Sequence, residues 1–221
     1  MTGGVVELAG PAGAGKTTVA TALTRTLPGT RLGRPPGRIA TVRALVPAAP
    51  MLLACRDAAG AGRWWSQPEL RSIGYLLAWQ RTLTAPGPGR LLLLDHGPVF
   101  RLATLVAGRP TALRDSAFGP WWRRNAAAWA GLLDTVVVLD APTDELIARI
   151  ESRQREHRVR GAGRSEAERF VEDYRVAFDE VLRTLSDLGT PVVRVDTAAP
   201  PDDVADDVRS RLLASPAGGP R

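Results

Sequence analysis

The sequence predicts an α/β fold of three layers, in which helices cover both faces of a parallel sheet. Short apolar runs alternate with stretches whose apolar residues recur at helical spacing, and this alternation is typical of βαβ units. Three of the runs, at 91–95, 135–140 and 191–196, end in aspartate. Buried parallel strands commonly end in this way where they reach a ligand-binding edge. We therefore expect a mostly five-stranded parallel sheet with its functional residues gathered along one edge.

Each element follows from its local pattern. The run 5–9 suits a buried first strand, and apolar residues at helical spacing predict a first helix over 17–27. Further helices are predicted near 67–84, 98–107, 120–131, 143–155, 165–187 and 201–213. The segment 30–50 is rich in Gly, Pro and Arg and predicts a loop. At 221 residues and 44% hydrophobic content, the chain fits one domain over 1–214, followed by a flexible tail over 215–221.

A glycine-rich loop separates the first strand from the first helix and matches G-x-x-x-x-G-K-[ST] at every fixed position. It consists of Gly10, Pro11, Ala12, Gly13, Ala14, Gly15, Lys16 and Thr17, and Thr18 follows it. In such a loop the backbone N–H groups surround the β-phosphate of a nucleoside triphosphate, the lysine reaches the β and γ oxygens, and the hydroxyl can ligate Mg²⁺. The alternative is a glycine-rich turn between two core elements.

Lysine usage strengthens the prediction of a phosphate site. Lys16 is the only lysine, whereas the other 28 of the 29 Lys and Arg residues are arginine. The chain therefore uses an ammonium only where a phosphate-binding loop needs one. The guanine-specifying motif N-K-x-D requires a second lysine, so we expect ATP rather than GTP, together with Mg²⁺.

Asp95 is the second informative position. It closes the apolar strand downstream of the loop. A carboxylate there can join Thr17 as a ligand of Mg²⁺, or it can take a proton from the acceptor, which is the molecule that would receive a phosphoryl group from the triphosphate. The alternative is a turn or helix-capping aspartate before Gly97. The neighbouring His96 could contact the acceptor, but a histidine in a turn more often makes local hydrogen bonds.

Arginines crowd into one segment after the predicted strand 135–140. They are Arg149, Arg153, Arg155, Arg158, Arg160 and Arg164, together with His157. A net charge of +6 and a pI near 10.7 raise nucleic acid as a partner. The cluster is local and lacks interleaved aromatic residues, so we expect it to neutralise the charge of bound phosphate groups instead. A solvated basic helix is the alternative, and the glycines of 161–163 offer a place for the segment to bend.

Other features exclude several classes of protein. The sequence shows neither a run of about eighteen uncharged apolar residues nor a basic-then-apolar leader, so we expect no membrane span and no signal peptide. The single cysteine, Cys55, suits a small core residue and a cytoplasmic protein. Tryptophan occurs at 64, 65, 79, 121, 122 and 129, where packing is favoured over stacking on an acceptor. A homodimer is left open.

Together these residues resemble the nucleoside and nucleotide kinases among the P-loop proteins, particularly the thymidylate-kinase-like branch. The resemblance is carried by the glycine loop, the strand 91–95 with the following His-Gly-Pro, the segment 136–142 leading to 146–153, and the ending 195–197. It implies a three-layer α/β/α P-loop NTPase fold with an arginine-rich lid at about 149–165. It also implies that Lys16, Asp95, Arg149, Arg153 and Arg158 are catalytic, and that adenine lies between the arginine helix and the loop near 196–200.

The resemblance is weakest in the acceptor region, at about 30–85. Thymidylate kinases usually have Asp-Arg and deoxynucleoside kinases Glu-Arg where this chain has Asp95 and His96. The stretch 30–35 only faintly resembles the segment that contacts the monophosphate in thymidylate kinases. Arg31, Arg34 and Arg38 could bind an acceptor phosphate, or they could be solvated loop arginines.

The sequence therefore predicts an ATP-dependent kinase that transfers a phosphoryl group to a small molecule, with a nucleotide or nucleoside as the first expectation. An antibiotic or sugar-like acceptor is the next alternative. An ATP-binding regulatory switch without an acceptor substrate is the third, and it would need no arginine lid.

Overall fold

The computed structural model describes residues 4–58, 65–83, 86–87, 89–107, 116–152 and 163–214. Its strands are β1 (Gly4–Ala9), β2 (Thr30–Leu32), β3 (Leu91–Asp95), β4 (Thr135–Asp140) and β5 (Val192–Asp196). They form one sheet in the order β2-β3-β1-β4-β5, and each pairing is parallel. The predicted five-stranded parallel sheet is confirmed.

Nine α-helices lie within the described residues. They are α1 (Lys16–Thr26), α2 (Arg38–Arg43), α3 (Ala49–Ala58), α4 (Gln67–Thr82), α5 (Pro98–Val106), α6 (Phe118–Ala130), α7 (Thr143–Glu151), α8 (Arg164–Asp187) and α9 (Pro201–Ala214). A 3₁₀ turn, Val46–Ala48, links α2 to α3. The predicted helices of the C-terminal half agree with these bounds within about four residues, which is the usual precision of helix ends.

The sheet divides the core into two apolar clusters. Val5 and Ala9 of β1 face a cluster formed with α3, α4, α5, α6 and most of α8. Val6 and Leu8 face a second cluster formed with α1, α7 and α9. Successive side chains of a strand point to opposite faces, so both faces of β1 are buried under helices. The three-layer α/β/α prediction is confirmed.

The predicted loop over 30–50 is wrong, because this segment contains β2, α2 and the 3₁₀ turn, and α3 begins at its end. The strand is short and pairs only with β3, from Thr30 opposite Leu91 to Leu32 opposite Leu93. Helix α2 packs so closely on α4 that a Cβ added at Gly74 would lie 2.4 Å from the carbonyl oxygen of Thr41. Tertiary contacts therefore order a segment whose Gly and Pro content favours a loop.

Tryptophans and the cysteine fill the core, as predicted. The five described tryptophans are buried, and Trp79 and Trp129 pack edge to face with ring centroids 6.3 Å apart. Cys55 is buried as well, with 3% of its surface exposed. Trp64 lies outside the described residues.

One described segment, Arg38–Cys55, is long and apolar enough to cross a membrane by length and composition. It spans α2, the 3₁₀ turn and most of α3. A single segment of this kind also occurs in core helices of proteins that enter no membrane, so it is weak support for a span.

The strand order places the functional residues. The C-terminal end of β1, where the glycine loop begins, lies between the ends of β3 and β4. Leu8 pairs with Asp95, and Asp140 at the end of β4 pairs with Asp196. The three aspartates that the sequence singles out therefore lie along the same edge as the loop.

Candidate active site

The glycine loop is curled by glycines in conformations that other residues rarely adopt. Gly10, Gly13 and Gly15 have φ of 140°, 89° and 78°. A Cβ at Gly10 would lie 2.0 Å from the carbonyl oxygen of Leu139, and one at Gly13 would lie 2.8 Å from that of Leu146. Gly15 is the N-cap of α1, so the loop leads directly into a helix N-terminus. Free N–H groups and the helix dipole make such a terminus an anion site.

The side chain of Lys16 lies within the loop. Its Nζ donates to the carbonyl oxygens of Gly10 and Pro11, each at 2.8 Å, and the residue is 8% exposed. An ammonium is satisfied by acceptor oxygens of any kind, so phosphate oxygens can replace these carbonyls. The geometry keeps a positive charge inside the cradle that the backbone forms.

Thr17 and Asp95 join the loop to β3. The hydroxyl of Thr17 donates to Oδ2 of Asp95 at 2.8 Å. Partial burial acts to raise the pKa of Asp95, but the hydrogen bond and charge of His96, the Thr17 hydroxyl and the Lys16 ammonium outweigh it, so the pKa lies below its usual value. The carboxylate is therefore ionised at neutral pH and available to a cation.

This pair fits Mg²⁺. Among the residues described here, no group of three or more His, Cys, Asp or Glu side chains is placed to hold a metal. Mg²⁺ bound with nucleotides needs no such cage, because it keeps several waters and uses one or two protein oxygens with the phosphates. Thr17 Oγ1 and Asp95 Oδ2 are two hard oxygen donors at the end of the glycine loop.

His96 has an unusual backbone conformation and makes a local contact. Its φ is 59°, the only positive value for a non-glycine residue in the described ranges. Its Nδ1 lies 2.8 Å from Oδ1 of Asp95, and 51% of the side chain is exposed. Non-glycine residues in this region carry strain that clusters at functional sites. The predicted local hydrogen bond is confirmed.

A buried glutamate, which the sequence reasoning missed, supports the turn after Asp95. Glu7 of β1 has no exposed surface, and its carboxyl accepts from the backbone N–H of Val99 at 2.9 and 3.0 Å and of Phe100 at 3.4 Å. Burial raises its pKa to about 8, although the two N–H groups act in the opposite direction and Asp95 adds to the rise. The sequence did contain a signal for this role, which is a glutamate inside an otherwise apolar strand.

The carboxyl of Glu7 also explains why the residue at position 97 is a glycine. A Cβ at Gly97 would lie 2.7 Å from Cδ of Glu7, so only glycine lets the turn approach this carboxyl. The first N–H groups of a helix have no partner within it, and here the carboxyl of Glu7 satisfies those of α5. Glu7 therefore fixes the turn that follows Asp95.

A cavity of about 560 Å³ opens on one side of the loop. Arg149 lies in its wall, where Nη1 donates to Oγ1 of Thr197 at 3.2 Å and Nη2 donates to the Thr197 carbonyl oxygen at 2.7 Å and to Glu145 at 2.9 Å. The same wall includes Gly15 and Pro200. This is the place, between the arginine helix and the loop after the last strand, where the family resemblance implies that adenine lies.

The remaining residues of the predicted lid are only partly described. Arg153 and Arg158 lie outside the described residues, as do 155, 157 and 160. Arg164, at the start of α8, is exposed and pairs with Asp144 and Glu168. The roles of Arg153 and Arg158 stay predictions.

Two further cavities are lined by residues of α5. The first, of about 280 Å³, is lined by Ala12, Gly15, Lys16, Thr17, His96, Phe100, Phe170 and Tyr174. The second, of about 480 Å³, lies between α2, α4 and α5. It is lined by Pro36, Arg38, Thr41, Val42, Leu45, Gln67, Leu70, Arg71, Tyr75 and Arg101. Phe100 lines the first cavity and Arg101 the second, and the Arg101 guanidinium lies 5.3 Å from the centre of the Phe100 ring.

Arg101 is the most constrained cation of the second cavity. Its guanidinium lies 4.4 Å above the ring of Tyr75 and 5.3 Å from that of Phe100. Burial lowers its pKa from the ordinary value, and nearby Arg71 acts in the same direction, whereas Tyr75 and Glu7 oppose the change. Its Nε is buried without a hydrogen-bond partner among the described residues.

Of the three arginines considered for an acceptor phosphate, only Arg38 lines this cavity. Arg31, which is part of β2, and Arg34 lie instead with Trp79 in the wall of a separate cavity of about 610 Å³. Arg71 and Arg101, which the sequence reasoning did not single out, complete the charged lining. Their separation in sequence gave no signal that they share a cavity.

Comparisons with known proteins address the fold of the chain. No protein-family model matches the sequence, and a search of curated proteins also finds no match. Among solved structures, the chain is similar to a deoxyadenosine kinase from M. mycoides with bound dCTP, at 16% identity and a TM-score of 0.61, over 96% of this chain and 100% of that chain. It is similar to a thymidylate kinase from Candida albicans at 16% identity and a TM-score of 0.60, over 96% and 92% of the two chains.

The chain has the fold of the nucleoside and nucleotide kinases. The predicted resemblance and the predicted P-loop NTPase architecture are thus confirmed at the level of the fold. Within this kinase fold, the glycine loop, Thr17 and Asp95 come together as the sequence predicts, and Arg149 lines a cavity that shares no lining residue with the cavity of Arg38, Arg71 and Arg101.

Proposed function

We propose that the protein is an ATP-dependent kinase that transfers the γ-phosphoryl group to a nucleotide or nucleoside. The observation that carries the proposal is that Lys16 and Thr17, with Asp95 bonded to Thr17, lie beside a cavity that shares Gly15 with the cavity of Arg149. A donor nucleotide can enter from the side of Arg149 and an acceptor from the side of Arg101. A regulatory switch needs the first cavity but not the second.

The loop residues bind the triphosphate in this proposal. Backbone N–H groups from Gly10 to Thr18 surround the β-phosphate, and the Lys16 ammonium leaves the carbonyls of Gly10 and Pro11 for phosphate oxygens. Thr17 and Asp95 would hold Mg²⁺, which neutralises charge on the β and γ oxygens when bound. Phosphoryl transfer leaves little covalent chemistry to the protein, so these cations supply most of the acceleration.

The arginines divide between the two substrates. Arg149 lines the cavity proposed for the donor base and is held there by Thr197 and Glu145. We propose that it orients the donor nucleotide. Arg153 and Arg158 are proposed to approach the transferring phosphoryl group, on the strength of the sequence resemblance alone.

The charge of the second cavity favours an acceptor that carries an anionic group. Its described lining contains Arg38, Arg71 and Arg101 but no carboxylate. An anion there would supply the buried Nε of Arg101 with an acceptor, and charge-assisted bonds of this kind are about twice as strong as neutral ones. A nucleoside monophosphate meets this requirement. A cationic aminocyclitol would face repulsion from three guanidinium groups.

The acceptor determines whether a base is needed. In each case the acceptor oxygen forms a bond to the γ-phosphorus while the bond to the β,γ-bridging oxygen breaks, and ADP leaves. A phosphate acceptor is already ionised and needs no base. A hydroxyl acceptor must release its proton, and Asp95, which is bonded to Thr17 of the loop, is the proposed base. We place the reaction in the cytoplasm, where its nucleotide substrates are found.

An acceptor screen tests the proposal. ADP release is measured with MgATP and, in turn, nucleoside monophosphates, nucleosides, sugars and aminocyclitols, with Lys16→Ala as the inactive control. We expect nucleoside monophosphates to raise turnover most and Lys16→Ala to abolish the increase. If no acceptor raises turnover above the rate with ATP alone, the regulatory switch replaces the kinase.

A further inference from the structure

Helix α8 presents a row of aromatic side chains to α5. Phe170, Tyr174 and Phe178 follow one another at intervals of four residues and therefore lie on one face of the helix. Ring centroids lie 4.8 Å apart between the first two and 6.0 Å apart between the last two. From α5, Phe100 stacks on Tyr174 at 6.1 Å with an interplanar angle of 23°. The rings form one continuous aromatic row.

The two ends of this row lie in different surroundings. Phe178 is buried in the core, with 4% of its surface exposed. Phe170 and Tyr174 are only partly buried, and both line the 280 Å³ cavity that contains Lys16 and Thr17. Packing of the core accounts for Phe178. Phe170 and Tyr174 also pack against the two core clusters, but unlike Phe178 they line a cavity beside the glycine loop as well.

The cavity, hereafter the transfer chamber, has two unlike walls. One consists of the glycine loop with Lys16 and Thr17, and the other of Phe100, Phe170 and Tyr174, with His96 packed edge to face on Phe100 at 5.3 Å. At roughly 30 Å³ for each water in the liquid, a chamber of about 280 Å³ has room for about nine waters. Phosphate oxygens and an acceptor oxygen must displace these waters before transfer.

We propose that Phe170 and Tyr174 determine the specificity of transfer against water, by closing the transfer chamber with apolar surface opposite the phosphate loop. The inference rests on the proposed kinase function. The faces of the rings offer no strong hydrogen-bond partner that would hold a water in line with the γ-phosphorus. A small or polar side chain at either position leaves space for such a water.

Two reactions compete for the same phosphoryl group. In transfer, the acceptor oxygen bonds to the γ-phosphorus, the bond to the bridging oxygen breaks, and the products are ADP and the phosphorylated acceptor. In hydrolysis, a water oxygen takes the acceptor's place, and the products are ADP, inorganic phosphate and a proton. The share of ADP formed with inorganic phosphate therefore measures how well water is excluded.

The experiment measures ADP, inorganic phosphate and phosphorylated acceptor in the same reaction, with a nucleoside monophosphate and MgATP. For Phe170→Ala and Tyr174→Ala we expect the hydrolysed share of ADP to rise about tenfold over wild type, the effect of admitting water to the chamber. Tyr174→Phe should behave as wild type, because it keeps the apolar ring. Val176→Ala, on the exposed side of the same helix at 61% exposure, is the matched control.

Glutamine variants keep the test decisive if an alanine variant is unstable. Phe170→Gln and Tyr174→Gln retain length and helix propensity but bring polar atoms to the chamber, so they should also raise the hydrolysed share. An unchanged share in folded alanine or glutamine variants, with normal acceptor product in wild type, overturns the inference alone. If wild type forms no acceptor product, the kinase proposal is contradicted instead. In that case the hydrolysis of ATP alone is compared, and equal rates in wild type and the variants overturn the inference too.

Discussion

The hydroxyl of Thr17 and the carboxylate of Asp95 lie 2.8 Å apart and join the end of the glycine loop to the end of β3. Residues 78 positions apart in sequence meet because parallel strands β1 and β3 are neighbours and end at the same edge. The contact brings a hydroxyl and a carboxylate together at the end of the glycine loop, near the Lys16 ammonium. It is the feature on which the first prediction rests.

Replacing Asp95 by Asn should lower turnover strongly while leaving ATP affinity nearly unchanged. Asparagine keeps the shape but removes the charge, so the Mg²⁺ concentration for half-maximal activity should rise if Asp95 holds the metal shell. We expect a loss of turnover on the order of 10²–10³-fold, as for other groups that stabilise charge in a transition state. Titration of activity with Mg²⁺ checks this, with the exposed Asp187→Asn as control. An unchanged Mg²⁺ requirement would assign Asp95 to proton transfer instead.

Replacing Arg101 by Ala should raise KM for an anionic acceptor about 10–100-fold, since a hydrogen bond to a charged group contributes about 1.5–3 kcal/mol. KM for ATP should change little, because the cavity that Arg101 lines shares no lining residue with the proposed donor cavity. Arg101→Lys should restore only part of the affinity, because lysine lacks the planar fork. Steady-state kinetics with both substrates varied tests this, with the exposed Arg25→Ala as control. If wild type and Arg101→Ala have equal KM values for the acceptor, Arg101 does not bind the acceptor.

Arg149 and Arg153 should affect different kinetic constants. Arg149→Ala should mainly raise KM for ATP, because Arg149 lines the proposed donor cavity and bonds Thr197. Arg153→Ala should lower turnover more than ATP affinity, because the sequence places it in the predicted lid. Comparison of kcat and KM for the two variants decides the matter. If Arg149→Ala lowers only turnover, Arg149 approaches the transferring phosphoryl group as the sequence resemblance implies.

Glu7 should make the protein less stable as pH rises. Burial raises the pKa of Glu7 from 4.5 to about 8, so between these values the folded state binds a proton that the unfolded chain has lost. Stability from this group is complete below about pH 4.5 and is lost as pH approaches 8. Between about pH 5 and 8 the free energy of unfolding should therefore fall less in Glu7→Gln than in wild type. The two decreases should differ by an amount on the order of a few kcal/mol.

Urea unfolding at several pH values measures how the free energy of unfolding changes with pH, which is the slope to be compared. The exposed Glu151→Gln variant should retain the wild-type pH dependence. Parallel slopes for wild type and Glu7→Gln would show that the carboxyl of Glu7 stays ionised in the folded protein.

Local patterns predicted much of this fold. The loop motif, the aspartate-ended strands and the helices of the C-terminal half depend on neighbouring residues, and the structure confirms the strands and helices. β2 and α2 were missed because Gly and Pro dominate their local signal, while pairing with β3 and packing on Gly74 supply their order. Long-range packing of this kind leaves no periodicity to detect.

The acceptor side was harder to predict for the same reason. Arg38, Arg71 and Arg101 come from three helices and meet only in the folded chain. Glu7 and the pair Phe170 and Tyr174 did leave local signals, a charge within an apolar strand and aromatic residues four positions apart. Their significance depends on what lies opposite them, which is the turn after Asp95 for Glu7 and the phosphate loop for the aromatic pair.

Isothermal titration calorimetry with MgATP tests the central claim most directly, that the glycine loop and Lys16 bind the phosphates of ATP. Wild type should release heat with one-to-one stoichiometry, and Lys16→Ala should bind at least tenfold more weakly, about 1.4 kcal/mol, because the only ammonium side chain of the loop is gone. Absence of binding heat in wild type, or equal affinity in Lys16→Ala, would contradict the claim.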